Sequence, residues 1–159
     1  MRRFKILLTL LIFIAIVFSS RLSVQAFSYQ DKFNDIELSN IEELLSERMH
    51  IMNEGLFNQM DIDTVEEKLT GIERGKLLLE DINIIKKSRE LPTDYSYPFG
   101  LKIKSVESVK YEETNVELYL VLEWEIAYKD KQTKEDFLYK IKLLKQKERY
   151  YIYNIEVIE

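Results

Sequence analysis

The sequence contains no cysteine, only one histidine, two prolines and four glycines. The absence of cysteine excludes disulfide bonds, thiolate metal ligands, a cysteine nucleophile and a lipid-modified cysteine. The scarcity of proline and glycine predicts that most of the chain lies in helices and strands. The glycines are too dispersed to form a phosphate-binding loop, so we expect no nucleotide site.

Charge is distributed unevenly along the chain. The formal net charge is −5, and residues 1–26 carry four basic groups and no acidic one, which leaves −9 for the remainder. So acidic a domain is a poor partner for nucleic acid or for anionic lipid surfaces. With 46% hydrophobic and 32% charged residues, the composition is typical of a globular protein.

The first 26 residues have the pattern of a secretory signal peptide. A basic start (MRRFK) precedes an uncharged apolar run at residues 6–18, and Val24, Gln25 and Ala26 would precede a cleavage site if the segment is removed. The run is short against the ~20 residues of a spanning helix. An uncleaved signal anchor, in which Arg21 reaches the membrane surface, is the alternative. Both place the domain outside the cytoplasm, secreted or anchored to the outer face of the cytoplasmic membrane.

Residues 39–90 have helical periodicity. Ser39 and Glu42 form a predicted capping box, followed by apolar residues at helical spacing up to about Met60. Asp63 is a second predicted cap, which opens a second predicted helix. This helix is expected to break near Gly75. A third predicted helix follows, with four residues facing the core, namely Leu78, Leu79, Ile82 and Ile85.

Residues 116–128 (VELYLVLEWEIAY) alternate strictly between apolar even positions and mostly polar odd ones. Period two predicts a strand with one buried face, and Trp124 is expected in the core on the helix-covered side. Because the run is long, we expect a twisted or bulged central strand. On the wet face, glutamates are expected to oppose lysines, namely Glu117, Glu123 and Glu125 against Lys102, Lys104, Lys140 and Lys142.

Three more strands have the same period. Their predicted inward residues are Leu101, Ile103, Val109 and Tyr111, then Phe137, Tyr139, Ile141 and Leu143, then Tyr151, Tyr153, Ile155 and Val157. Short polar connections predict an antiparallel meander. The fold class is therefore α+β, with two to three helices on one face of a four-stranded antiparallel sheet. The predicted division is a signal segment at 1–26, a lead-in at 27–38 and one domain at 39–159.

Few residues suggest chemistry. His50 shares a helix face with Glu47 and Glu54, which fits an exposed polar face better than a metal site, so we expect no metal and no cofactor. Glu107 is the only acidic residue on the inward parity of the first strand, where it would be a buried acid unless the strand bulges there. The aromatic residues Trp124, Tyr128, Tyr139 and Tyr153 are candidates to line a pocket, although ordinary core packing also explains them.

The order of a leader, capped helices and a long-stranded meander resembles the cystatin-like cone fold shared with nuclear-transport-factor-two-like domains. The segment EELLSERMHIMNEGLFNQMDIDTVEEKL also resembles small secreted or membrane-anchored proteins of AT-rich bacteria. The resemblance implies helices on the concave side of a curved sheet. It also implies two kinds of relative, enzymes with a pocket Asp beside Tyr or His and membrane-anchored domains of type IV secretion and conjugation machines.

Two functions remain open. The first is an extracytoplasmic, non-catalytic binding or assembly module for a protein or small-molecule partner. The second is a small-molecule-binding protein or enzyme that uses the concave pocket of the sheet. A buried, unpaired carboxylate facing Trp124 favours the second, whereas a closed core with an exposed apolar patch favours the first.

The N-terminal pattern predicts export of the chain. N-terminal sequencing and intact mass of the exported protein should give a chain that starts near Phe27 if the segment is cleaved. A full-length chain in the membrane fraction would identify the anchor. A full-length chain in the cytoplasm would contradict both forms of the prediction.

Overall fold

A computed structural model describes residues 35–58, 60–90 and 96–158. Three helices come first, α1 (Asp35–Leu56), α2 (Ile62–Thr70) and α3 (Lys76–Glu90). Four strands come after them, β1 (Tyr97–Tyr111), β2 (Asn115–Tyr128), β3 (Lys131–Gln146) and β4 (Arg149–Val157). The helices pack with an antiparallel sheet of order β1-β2-β3-β4, which confirms the predicted α+β class. The predicted signal segment and most of the lead-in lie outside the described residues.

At the centre of the sheet, burial follows the alternation of apolar and polar residues in β2. Its even residues Val116, Leu118, Leu120 and Leu122 are all buried, because they face the helices while their odd neighbours face outward. β2 pairs with β3 in an unbroken register from Asn115 to Tyr128. Of the two forms expected for this central strand, twisted or bulged, the bulged one is therefore excluded.

The bulges lie in the edge strands instead. β1 carries an extra residue relative to β2 at three places, between Pro98 and Gly100, Ile103 and Ser105, and Val106 and Ser108. Each extra residue reverses the face on which the later residues of the strand lie, so Val106 and Val109 both oppose buried residues of β2. The single inward parity predicted for this strand is wrong at Val106.

β4 has one bulge of the same kind. The register with β3 shifts between Lys142 and Leu143, whose partners are Asn154 and Ile152. Ile152 is fully buried, whereas Tyr153 is exposed. The predicted inward face of Tyr151 and Tyr153 is therefore wrong, because the bulge moves burial to the residue between them.

Two predicted helix caps are also corrected. α1 begins at Asp35, so Ser39 lies inside the helix. The Glu42 carboxylate accepts a hydrogen bond from the Ile103 backbone N–H at 2.7 Å and ties α1 to β1. Asp61, not Asp63, caps α2, since its carboxylate accepts the backbone N–H groups of Asp63 and Thr64.

Helix α3 packs against α1 at a glycine. A Cβ added to Gly55 would lie 2.9 Å from the end of the Ile85 side chain, so any other residue there would require Ile85 to shift. The Arg89 guanidinium donates to the Gly55 carbonyl oxygen at 3.0 and 2.8 Å and also to that of Met60. The last turn of α3 thus satisfies one carbonyl group in the last turn of α1 and one in the segment that follows it.

The outer face of the sheet carries the predicted type of ion pairing. Glu117 lies 3.2 Å from the Lys140 amine and 3.3 Å from that of Lys142. Lys134, which the sequence pattern did not single out, bridges Glu123 at 2.9 Å and Glu125 at 2.7 Å. This face is a charged ladder that keeps strand register.

The packing predicts that substitutions along the helix-facing side of β2 lower stability by very different amounts. Leu118→Ala should lower the free energy of unfolding by about 2–5 kcal/mol, because a fully buried leucine leaves a cavity. Tyr128→Ala changes the same face at its exposed end and should change stability little. Urea unfolding measures both variants, and equal losses would contradict the described burial.

Candidate functional site

The helix-facing side of the sheet is packed at its centre and hollow at one end. Towards the end of β2, Trp124 and Ile126 are half-buried and Tyr128 is 44% exposed. A cleft of about 300 Å³ lies here, between α1, α3, the start of β1 and β2. We call it the Trp124 cleft. Its walls are Arg48, Met49, Met52, Asn53, Leu56, Phe57, Ile84, Ser88, Ser96, Pro98 and Trp124.

The Trp124 cleft is mainly apolar, and its strongest polar groups are engaged. The Asn53 amide is buried and donates to the Pro98 carbonyl oxygen at 2.5 Å. The Phe57 ring meets that of Tyr97 edge-on at 5.1 Å between centroids, which supports the outer wall. Met49 and Met52 add flexible side chains that adapt to different shapes.

The four predicted site residues separate into two pairs. Trp124 and Tyr139 contact each other, with ring centroids 6.1 Å apart. Burial raises the pKa of the Tyr139 hydroxyl, and the nearby Trp124 indole opposes this rise. The indole nitrogen itself is buried, and none of the described residues accepts a hydrogen bond from it. Tyr128 and Tyr153 are 44% and 47% exposed. Of the four, Trp124 alone is among the residues that line the cleft.

Arg48 lines the cleft and pairs with two buried carboxyls that do not line it, Glu73 and Asp81. These three side chains are here called the carboxyl cluster. The Arg48 guanidinium donates from Nε to Glu73 Oε1 at 2.7 Å and from a terminal nitrogen to Asp81 Oδ2 at 2.5 Å. Glu73 is 0% and Asp81 is 2% exposed. The cluster joins α1, the loop at residues 71–75 and α3.

The sheet holds the loop that carries Glu73. The Arg74 N–H donates to the Ile152 carbonyl oxygen at 2.9 Å, and the Ile152 N–H donates to that of Ile72 at 2.8 Å. Gly75 has a φ of 70°, and a Cβ there would lie 2.7 Å from the Tyr153 ring. Glycine therefore permits both the turn and the contact, and the backbone beside Glu73 pairs with the edge of β4.

The pKa of Glu73 is raised to about 8, first by burial and then by hydrogen bonding to, and the negative charge of, the neighbouring Asp81, while Arg48 lowers it by less. Glu73 Oε1 accepts from Arg48, whereas Oε2 is buried and has no partner among the described residues. Two carboxylates and one guanidinium carry one excess negative charge, which a single proton removes. The cluster therefore favours a proton on Glu73 near neutral pH.

Sequence reasoning searched for a buried acid on the strands and missed this cluster. Glu107 is exposed at a bulge of β1 and accepts from the Ser105 hydroxyl at 2.7 Å. Asp81 occupies the buried stripe of α3 with Leu77 and Ile85, while Leu79, predicted inward, is exposed. The spacing of Leu77, Asp81 and Ile85 at intervals of four was the available signal.

The His50 face is as exposed as expected. His50 and Glu47 are exposed, and Glu54 accepts from the Asn58 amide at 2.8 Å. Within the described part of the chain, no three His, Asp or Glu side chains come together as metal ligands. No helix in that part has the length and apolarity to cross a membrane.

The comparisons with known proteins give a fold and no family. No family model and no curated protein matches the sequence. The chain is similar to the intermembrane space region of the chloroplast protein ARC6, with a TM-score of 0.52 and 14% identity over 76% of this chain and 95% of that chain. A de novo designed β-sheet protein matches with a TM-score of 0.34 and 16% identity over 75% and 88%. The first likeness shows the fold alone.

The carboxyl cluster predicts a large effect of removing its cation. Arg48→Met should lower the free energy of unfolding by about 3–5 kcal/mol, because two buried carboxyls lose their shared partner. Lys76→Met is the control, since Lys76 pairs with Glu80 in solvent and its loss should change stability little. Urea unfolding of both variants decides, and an Arg48 variant as stable as the parent would contradict the described cluster.

Proposed function

We propose that this protein is a non-catalytic binding module and that the Trp124 cleft is its ligand site. The observation behind this proposal is that the cleft is apolar while its strongest polar groups are already paired. Arg48 binds two carboxyls and Asn53 binds a backbone carbonyl. A charged ligand would have to break these pairs, whereas an apolar ligand gains from burial alone.

The expected ligand is small and uncharged. A volume of about 300 Å³ lies at the lower end of the range for small-molecule pockets. The methionines allow more than one shape to fit, and the indole of Trp124 offers a flat apolar wall. A compact apolar or aromatic molecule meets these conditions.

The catalytic alternative has less support. General acid–base chemistry requires a titratable group that reaches the ligand. Glu73 has the raised pKa that such chemistry uses, but it is fully buried and is not part of the cleft wall. Asp81 lies in a neighbouring groove between α3 and β4, where it is bound by Arg48.

Two further parts of the proposal rest on the sequence. The N-terminal pattern supports an extracytoplasmic location, secreted or membrane-anchored. The element order supports membership of the cystatin-like cone folds, whose anchored assembly domains are the nearest analogue for a non-catalytic role. A protein partner that inserts one apolar side chain into the cleft would serve assembly with the same chemistry.

Trp124 is the only tryptophan in the chain, so its fluorescence reports on the cleft. Titration with the uncharged apolar dye N-phenyl-1-naphthylamine should give saturable energy transfer from Trp124. Met52→Gln should weaken dye binding about tenfold or more, because it places an amide in the apolar wall. Leu79→Gln, a change of the same kind at an exposed site on α3, should leave binding unchanged.

Two outcomes would contradict the proposed site. One is energy transfer that rises linearly with dye and never saturates. The other is an equal loss of binding in the Met52 and Leu79 variants while circular dichroism shows both to be folded.

A further inference from the structure

The carboxyl cluster is unbalanced in charge, and its two carboxyls are almost completely buried. Arginine stays protonated at any pH at which proteins fold, so Arg48 contributes one fixed positive charge. Glu73 and Asp81 contribute two negative charges when both are ionised, and both are almost completely buried. An uncompensated buried charge is strongly unfavourable. One bound proton restores neutrality.

The hydrogen bonds show where that proton fits. Arg48 occupies Oε1 of Glu73 and Oδ2 of Asp81. Oε2 of Glu73 is buried, and no donor reaches it among the described residues. With a proton at this oxygen, Glu73 can donate to the Asp81 carboxylate, and the orphaned atom gains a partner.

The neighbouring charged groups leave this imbalance in place. The Arg74 guanidinium donates to the carbonyl oxygens of Thr70 and Glu73 and stacks 3.6 Å from the centre of the Tyr151 ring. On α3, Glu80 pairs with Lys76 at 2.6 Å, and Lys87 is exposed at the rim of the groove beside Asp81. From the sheet, the titratable group is Tyr139, whose pKa burial raises and Arg48 lowers.

We infer that the carboxyl cluster is a proton-binding switch, which with one proton bound fastens the 71–75 loop and α3 to α1 and to the edge of β4, and which loosens that contact when the proton leaves. The loop is placed for this role, because Glu73 joins the cluster through its side chain while its backbone neighbours pair with Ile152. The inference does not depend on the ligand of the Trp124 cleft.

The direction of the pH effect is set by the raised pKa. Glu73 has an ordinary pKa of 4.5 when it is released to water and a pKa of about 8 in the closed cluster. The closed form therefore binds the proton more tightly than the open form. The stabilisation of the closed form by this proton is complete below pH 4.5, falls as the pH rises, and is lost once the pH passes about 8.

Amide hydrogen exchange monitored by NMR tests this inference. The amides of Arg74 and Ile152 carry the hydrogen bonds between the loop and β4. The opening equilibrium at these amides, corrected for intrinsic exchange, should rise by up to about tenfold per pH unit between pH 5 and pH 8. These amides should also exchange faster than that of Leu118 at the centre of β2, since opening is local.

Three variants supply the comparison. Glu73→Gln keeps the shape of the protonated side chain and should remove the pH dependence of opening. Glu107→Gln alters an exposed carboxylate and should keep it. Asp81→Asn leaves Arg48 with one carboxylate and should lower the Glu73 carboxyl midpoint, measured directly by carbon-13 NMR.

Any of three results would overturn the inference. The Glu73 carboxyl could titrate near 4.5 in the parent protein, or the Glu73→Gln variant could retain the full pH dependence. Alternatively, the Arg74 and Ile152 amides could exchange only as slowly as the Leu118 amide, in which case the loop opens only with the whole domain.

Discussion

The contact in which Arg48 bridges Glu73 and Asp81, with one hydrogen bond to each, is the constraint on which the helical layer depends. It is an interaction that touches α1, α3 and the loop between α2 and α3 at once. Apolar contacts can slide with little penalty, whereas a buried ion pair has one acceptable geometry. The cluster thus fixes how the helices sit on the sheet, and it does so at the edge of the Trp124 cleft.

The cleft itself results from a mismatch of lengths. β2 and β3 pair over the whole of β2, but the buried part of that strand ends near Leu122. Beyond it, the helix-facing residues Trp124 and Ile126 are only half-buried. A long regular hairpin under a shorter helical layer leaves apolar surface at one end, where a ligand can replace the missing cover.

Binary patterning predicted the sheet well because period-two alternation depends only on which face is buried. It failed where one extra residue changes the face, at Val106 in β1 and at Tyr153 in β4. The position of a bulge depends on contacts with other elements, such as the hydrogen bond from Ile103 to Glu42 or the one from Ile152 to Ile72. The sequence of the strand alone contains no information on these contacts.

The candidate site was less predictable for a related reason. Trp124 lies on the helix-covered side as predicted, but it is half-buried and not part of the core, and Tyr139 lies beside it. The buried acids were missed because Glu73 is in a loop, and because Asp81 looks like a surface residue until Arg48, distant in sequence, is placed next to it. Charge complementarity across 25 and 33 residues has no local pattern.

The irregular edges of the sheet bear on how the protein behaves at high concentration. An exposed strand can add to a second sheet only where several consecutive backbone groups are regular. In β1 the bulges leave at most four consecutive residues in register, and in β4 the loop already occupies the backbone of Ile152. Both borders therefore resist strand addition, so we expect copies of this protein to remain separate or to associate through side chains rather than to extend into a shared fibre.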